Sequence, residues 1–311
     1  MKPLNRLLGH QMNALVTGAT GLIGRLLLDQ LDQPTILTRR AQSGAQAPGA
    51  PRTVTWRPEE EMAPTEALEG CDVVFHLAGE PVATGRWTKE KKRRIRDSRV
   101  IGTRHLVQGI AACERPPKVL IAASAVGFYG DRGDEVLDEH SEPGSGFLPD
   151  VCRDWEREAM AAEAHGVRVV CLRIGIVLAQ GGGALEQMIP IFRMGAGGKL
   201  GDGKQWMSWI HVDDVVGLLL WAAQSDGLEG SVNAVAPQPV TNADFTNQLG
   251  EALKRPTFMP VPRFGLHALF GEKTSIILAS QHVLPKVAQE ADYPFAYSDL
   301  KQALSDVVSR P

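Results

Sequence analysis

The sequence predicts an α/β protein with a doubly wound parallel sheet and a smaller C-terminal domain. Three observations carry that prediction. The β-favouring run from Asn13 to Thr17 leads into Gly18, Ala19, Thr20, Gly21, Leu22, Ile23 and Gly24, then into Leu26, Leu27 and Leu28. That is a strand, a glycine turn and a helix start in succession. Apolar runs of strand length then alternate with helical patterns, which implies right-handed βαβ units. DVVFHL at 72–77 is almost wholly apolar, as a strand covered on both faces should be. Together these define a Rossmann-type sheet.

Taken in order, the first helix is expected from about Gly21 to Asp32, before Pro34, and Thr35 to Thr38 is a second strand. Residues 41–51 are rich in Ala, Gly, Pro and Gln and read as a loop. Thr53 to Trp56 is a third strand and Asp72 to Leu77 a fourth. Thr88 suits the N-cap of a long helix reaching about Ala112, with Val100, Thr103, Val107 and Ile110 as its inward stripe. Val119 to Ala123 reads as strand, Phe147 to Ala164 as helix, and Val167 to Leu172 as strand. From Gly181 the texture changes, and GGG at 181–183 and the Gly-rich 195–203 read as excursions from the sheet. Val212 to Ala223 is helical and Ser231 to Val235 a last strand. The Rossmann domain is therefore expected over 12–180 and 211–236, and a smaller substrate or cap domain over 181–210 and 237–311. Residues 1–11 form an N-terminal extension.

The 311 residues, 43% hydrophobic and 22% charged, suit one large domain plus a smaller one. A net charge of −3 gives no electrostatic reason to expect nucleic acid or an anionic membrane as partner. The strongest apolar run, near Val215 to Ala223, falls far short of a membrane span. Residues 1–11 carry Lys2 and Arg6 but no apolar core, which reads as a short extension or an early start before Met12, not a signal peptide. Cys71, Cys113, Cys152 and Cys171 are scattered and read as reduced thiols of a cytoplasmic protein. The eight histidines show neither HExxH nor HxxxH, so no metal site is expected.

Chemistry enters at the glycine turn, which presents backbone N–H groups to a dinucleotide pyrophosphate. Glycine is needed where the turn leaves ordinary φ/ψ space and where a Cβ would hold the phosphate off. The motifs VTGATGLIG, DVVFHLAGEP (72–81), SRVIGTRHLV (98–107), SAVGFYGDRG (124–133) and SWIHVDD (208–214) follow one another in the chain. In that order they resemble an extended short-chain dehydrogenase/reductase. More narrowly, VCRDWE (151–156), GGGAL (181–185), GDGKQWMSWIH (201–211) and NAVAPQPVTNADF (233–245) resemble the atypical epimerase-family branch, often labelled NAD-dependent epimerase/dehydratase or cell-division-inhibitor-like. The resemblance implies a nicotinamide dinucleotide across the ends of strands one, two and four. Gly18, Thr20, Gly21, Leu22 and Ile23 would hold the pyrophosphate, Leu77, Ala78 and Gly79 would pass beneath the adenosine ribose and pyrophosphate, and Val177 would lie near the nicotinamide.

Cofactor choice follows from charge. NAD users generally place Asp or Glu at the end of strand two, where it accepts from the ribose 2′-OH. Here that position is Thr38, followed by Arg39 and Arg40. A guanidinium offers a 2′-phosphate a charge-assisted contact, so NADP is expected, with Thr38 and Arg39 as its contacts.

Ordinary members of the family use Asn, Ser or Thr, Tyr and Lys for proton transfer, with Tyr and Lys spaced YxxxK. Here the Asn position, shortly before Gly102-Thr103, is Arg99; the Ser/Thr position is Ala125, with Ser124 beside it; and Leu148 and Cys152 stand where Tyr and Lys belong. The one YxxxK, Tyr297 to Lys301, is a decoy after the substrate domain. Tyr129 and Ser124 are the candidates for a replacement acid or base, with Glu80 and His211 behind them. Tyr129 otherwise closes the site by packing, and Asp213 or Asp214 after His211 otherwise N-caps a helix. Arg99 puts a cation beside the cofactor, to bind a cofactor phosphate or an anionic substrate. Gly198 to Lys204 satisfies GxxxxGK, but Gln205 replaces the magnesium-binding Ser/Thr, so it is not a phosphate-binding loop. Trp206 and Trp209, with Met207 and Phe192, line a pocket over the nicotinamide or form a seam between domains. Two functions follow: an NADP-dependent oxidoreductase or epimerase of a small-molecule substrate, or a non-catalytic NADP-binding protein.

Overall fold

The computed structural model describes residues 12–40 and 51–310, so the 41–51 loop lies almost wholly outside the described residues. Seven parallel strands form the central sheet: β1 (Ala14–Thr17), β2 (Thr35–Thr38), β3 (Thr53–Thr55), β4 (Val73–His76), β5 (Val119–Ala125), β6 (Arg168–Ile174) and β7 (Gly230–Ala234). Their spatial order is β3-β2-β1-β4-β5-β6-β7. The order reverses between β1 and β4, where Val16 of β1 lies between Ile36 and Phe75.

Strand periodicity sends alternate side chains to opposite faces. Ala14 and Val16 join Phe75, Ile121, Val170 and Leu172 in a core covered by α1 (Leu22–Leu28) and α5 (Val212–Gln224). Leu15, Leu37, Val74, Leu120 and Val169 face the other way. There they meet α2 (Lys89–Ala111) through Leu106, Val107 and Ile110, and α3 (Phe147–Met160) through Ala159. The Thr88 hydroxyl accepts from the Lys91 amide at 3.1 Å, so it caps α2 as its sequence suggests. A third core joins α4 (Gly183–Arg193), α6 (Asn242–Leu253) and α7 (Leu300–Ser309) through Leu185, Phe192, Phe245, Leu249 and Leu304.

Several boundaries differ from expectation. Helix α1 stops at Leu28 because the chain must turn back into β2, and Gln33 adopts φ +44° to do so. Strands β5 and β6 run two residues past their expected ends because they pair with each other as far as Ala125 and Ile174. Neither Asp213 nor Asp214 caps α5. The cap is His211, whose Nδ1 accepts from the Asp213 amide at 3.1 Å. Asp213 binds Arg310 instead, and Asp214 accepts from the Ala296 and Tyr297 amides, pinning the C-terminal segment to the sheet domain. No helix of the described residues is long and apolar enough to cross a membrane.

Candidate dinucleotide site

The crevice opens at the C-terminal ends of β1 and β4, where an open α/β sheet takes its ligand. Its floor depends on Gly18, at φ +73°, where a Cβ would lie 2.6 Å from the Leu77 carbonyl carbon and 2.8 Å from the Ala78 nitrogen. At Gly24 a Cβ would lie 2.4 Å from the Gly18 oxygen, so α1 sits directly on the turn. No side chain caps α1 at Gly21, which leaves its first amides for an outside acceptor. Thr20 and Gly21 are exposed, and Leu22 and Ile23 half-buried. Leu22 lies under Gly182, and Gly183 lies over the Val177 carbonyl, so the glycine run at 181–183 lets this segment close on the turn. Thr38 ends β2 half-buried, with Arg39 exposed beyond it. Gly18 thus meets the Leu77–Ala78 peptide, and the Val177–Gly183 segment closes on Leu22, at the end of the sheet where β2 delivers Thr38.

The loop after β4 is held from below. The Ala78 amide donates to Thr17 Oγ1 at 3.2 Å, Thr17 Oγ1 meets His76 Nδ1 at 2.8 Å, and His76 Nε2 meets Thr103 Oγ1 at 2.9 Å. The ring is fully buried, and burial pulls its pKa from 6.5 down to about 4. A depressed base contributes stability that is present above pH 6.5 and is lost as pH falls toward 4, because the unfolded chain takes the proton first. The loss should approach about 3 kcal/mol, and a His76→Gln variant should flatten it in urea unfolding across that range. An unchanged slope would assign the effect to other groups.

Helix α2 grips the next residues. The Glu80 amide donates to Ser98 Oγ, its carbonyl accepts from Arg99 Nη1 at 3.0 Å, and its carboxylate receives Lys91 Nζ at 2.6 Å. The Lys91 hydrogen bond, against some burial, holds Glu80 below the usual carboxylate range.

Ala125, Leu148 and Cys152, at the positions where the resemblance expects Ser/Thr, Tyr and Lys, carry no ready proton donor. Leu148 and Cys152 both lie against Gly127, and burial pushes the Cys152 thiol up to about 12. The hydroxyls of Tyr129 and Ser124 are committed to the protein interior instead. Ser124 Oγ donates to Glu156 Oε1 at 2.5 Å, and Glu156 takes Arg173 Nε and Nη2 at 2.9 and 2.8 Å. Tyr129 Oη donates to Asn233 Oδ1 at 2.7 Å and lies 3.0 Å from both the Asp138 carbonyl and Arg173 Nη1. Tyr129 is wholly buried, which drives its pKa up to about 12 against the pull of Arg173. A hydroxyl so enclosed holds the core and offers no face to a substrate. This network was not visible among the sequence motifs, although Arg173 inside an apolar strand was its signal.

His211 is buried between Asp306 and the stacked Tyr297 ring, and Lys301 pairs with Glu251 on the surface, so neither faces the crevice. After Lys204 the chain enters the strand Trp206–Met207, not a helix, so GxxxxGK forms no phosphate loop. Trp209 and Phe192 are buried in the third core, the seam of the two alternatives. Trp206 stands apart, stacked on His282 at 3.9 Å with its Nε1 on Asp134.

The sheet order and the glycine turn define a dinucleotide-binding protein of the doubly wound α/β class. A model described as the NAD dependent epimerase/dehydratase family matches residues 14–235, and a domain of unknown function, DUF1731, matches 261–307. The chain belongs to this epimerase family. It is 42% identical over 307 residues to the "Epimerase family protein SDR39U1 homolog, chloroplastic" of Arabidopsis thaliana, covering 96% of this chain and 87% of that protein. It is 37% identical to the Mycobacterium leprae "Epimerase family protein ML0860", over 95% of each chain. Among solved structures, the human epimerase family protein SDR39U1 (isoform 2) with NADPH superposes with a TM-score of 0.85 at 31% identity, over 96% of this chain and 100% of that one.

Proposed function

We propose that this protein binds NADP(H) and exchanges hydride with a small molecule held between the sheet domain (12–180 and 211–236) and the segments 181–210 and 237–311. The carrying observation is Thr38-Arg39 at the end of β2, a hydroxyl and a cation where NAD users place a carboxylate, beside a turn with no room for a Cβ. The NADPH in the human relative supports the same reading. Gly18, Thr20, Gly21, Leu22 and Ile23 would hold the pyrophosphate, Thr38 and Arg39 the 2′-phosphate, Leu77, Ala78 and Gly79 the floor, and Val177 the nicotinamide side. When bound, the nicotinamide supplies or accepts hydride at C4. The protein's own part is binding and orientation. With Ala125, Leu148 and Cys152 apolar and Tyr129 and Ser124 enclosed, a reacting oxygen takes its proton from solvent. The four cysteines are free thiols, which suits the cytoplasm.

Ala125, Leu148 and Cys152 at these positions also favour a second reading, a non-catalytic NADP-binding protein. One experiment covers both. Fluorescence titration should show NADPH preferred over NADH, and Arg39→Ala should weaken NADPH by about 10- to 100-fold while leaving NADH within twofold. Equal losses would refute the 2′-phosphate assignment. NADPH consumption with a panel of carbonyl compounds supports the hydride-exchanging reading, whereas tight binding without turnover selects the second.

A further inference from the structure

Arg99 is a half-buried cation with no salt-bridge partner among the described residues. It rises from α2 and lies flat against Gly79, where a Cβ would come within 3.1–3.3 Å of its guanidinium. On its other side is the Trp155 ring of α3, with the guanidinium carbon 5.0 Å from the ring centroid. Its only hydrogen bonds among the described residues run from Nη1, to the Glu80 and Ile95 carbonyls at 3.0 and 3.1 Å. Nε and Nη2 have no acceptor there. The nearest carboxylate, Glu80, is already taken by Lys91. The guanidinium is partly withdrawn from water, and its Nε and Nη2 remain free to donate to an incoming anion in a charge-assisted, two-pronged contact.

The location gives this charge a purpose. Arg99 is close enough to Cys152 for each to act on the other's ionisation, and Cys152 holds the place of the family's lysine. The cation on α2 thus lies near the α3 position that the resemblance assigns to the family's lysine. It lies beside the loop after β4 and against α3, the helix that packs on β5 and β6.

We infer that Arg99 is a binding residue for an oxyanion, a phosphate or carboxylate, on the nicotinamide side of the crevice. This rests on the dinucleotide reading above and extends it. The oxyanion belongs either to the cofactor's pyrophosphate or to an anionic substrate, and the two sources separate experimentally.

Arg99→Met and Arg99→Lys are compared with the unaltered protein for binding of NADPH, 2′-phospho-ADP-ribose and adenosine 2′,5′-bisphosphate. Phosphate and oxalate are then titrated, with and without NADPH, with tryptophan emission as the signal because Trp155 underlies the guanidinium. A loss of tenfold or more for NADPH and 2′-phospho-ADP-ribose, with the bisphosphate unchanged, assigns the oxyanion to the cofactor. Unchanged NADPH binding, with a saturable phosphate or oxalate response that Arg99→Met abolishes, assigns it to a substrate. In either case Arg99→Lys, which keeps the charge and should fold if Arg99→Met does not, retains part of the affinity. All ligands bound within twofold by both variants would overturn the inference. Failure of the unaltered protein to bind NADPH or the bisphosphate would refute the dinucleotide reading, while the anion titration still decides the role of Arg99.

Discussion

Arg173→Met should destabilise the fold by about 3–5 kcal/mol, the usual penalty for stranding one member of a buried ion pair. Arg173 is 4% exposed and its partner Glu156 8%, and the two are joined in a bidentate, fork-to-fork contact. Burial alone would lower the Arg173 pKa, yet Glu156 and the Tyr129 oxygen together raise it. The pair ties three neighbouring strands together, because Ser124 of β5 and Ser231 of β7 both reach the Glu156 carboxylate while Arg173 stands on β6 between them. Removing the guanidinium leaves a buried carboxylate with only hydroxyls around it, and also strips a donor from Tyr129 and from the Glu139 carbonyl. Glu156→Leu alone should cost a similar amount. The double variant should recover much of the loss, since an apolar pair of like volume often matches a buried salt bridge. Urea unfolding of the four proteins measures this, and strict additivity of the two single losses would show that the charges are not coupled.

That network also shows how much of the molecule the sequence makes legible. The sheet is readable because its strands repeat with period two and its glycines fall where a turn needs them; Thr35–Thr38 is found to the residue. The crevice is readable for the same reason, since Gly18 and Thr38 act through backbone geometry and strand position. What the sequence hides is long-range pairing. Glu156 lies in a family-specific motif, but nothing local says that its carboxylate turns inward to meet Arg173, 17 residues on. Tyr129 looks reactive beside a glycine and turns out wholly buried, because its hydroxyl finds Asn233, 104 residues away. His211 looks like a prelude to an acidic cap and is the cap itself. In each case a polar side chain has several possible partners, and only the folded chain selects one.

Gly18→Ala should nearly abolish NADPH binding, by roughly 100-fold or more, if the turn forfeits two charge-assisted amide contacts to the pyrophosphate. Two effects combine at this residue. The φ of +73° costs an L-residue about 1–2 kcal/mol. The new methyl would also strike the Leu77–Ala78 peptide, which is backbone and cannot swing aside. That peptide is itself fixed by the Ala78 amide bond to Thr17, so the strain must go into the turn, where the amides that face the cofactor lie. Gly133→Ala separates the two effects. It shares a positive φ of +58°, but a Cβ there meets nothing within 4 Å. It should therefore lose a similar 1–2 kcal/mol of stability through backbone strain alone, and bind NADPH as before. Equal NADPH affinity in the two variants, or Gly18→Ala binding within threefold of the unaltered protein, would show that the turn tolerates a side chain and that the cofactor's phosphates are held elsewhere.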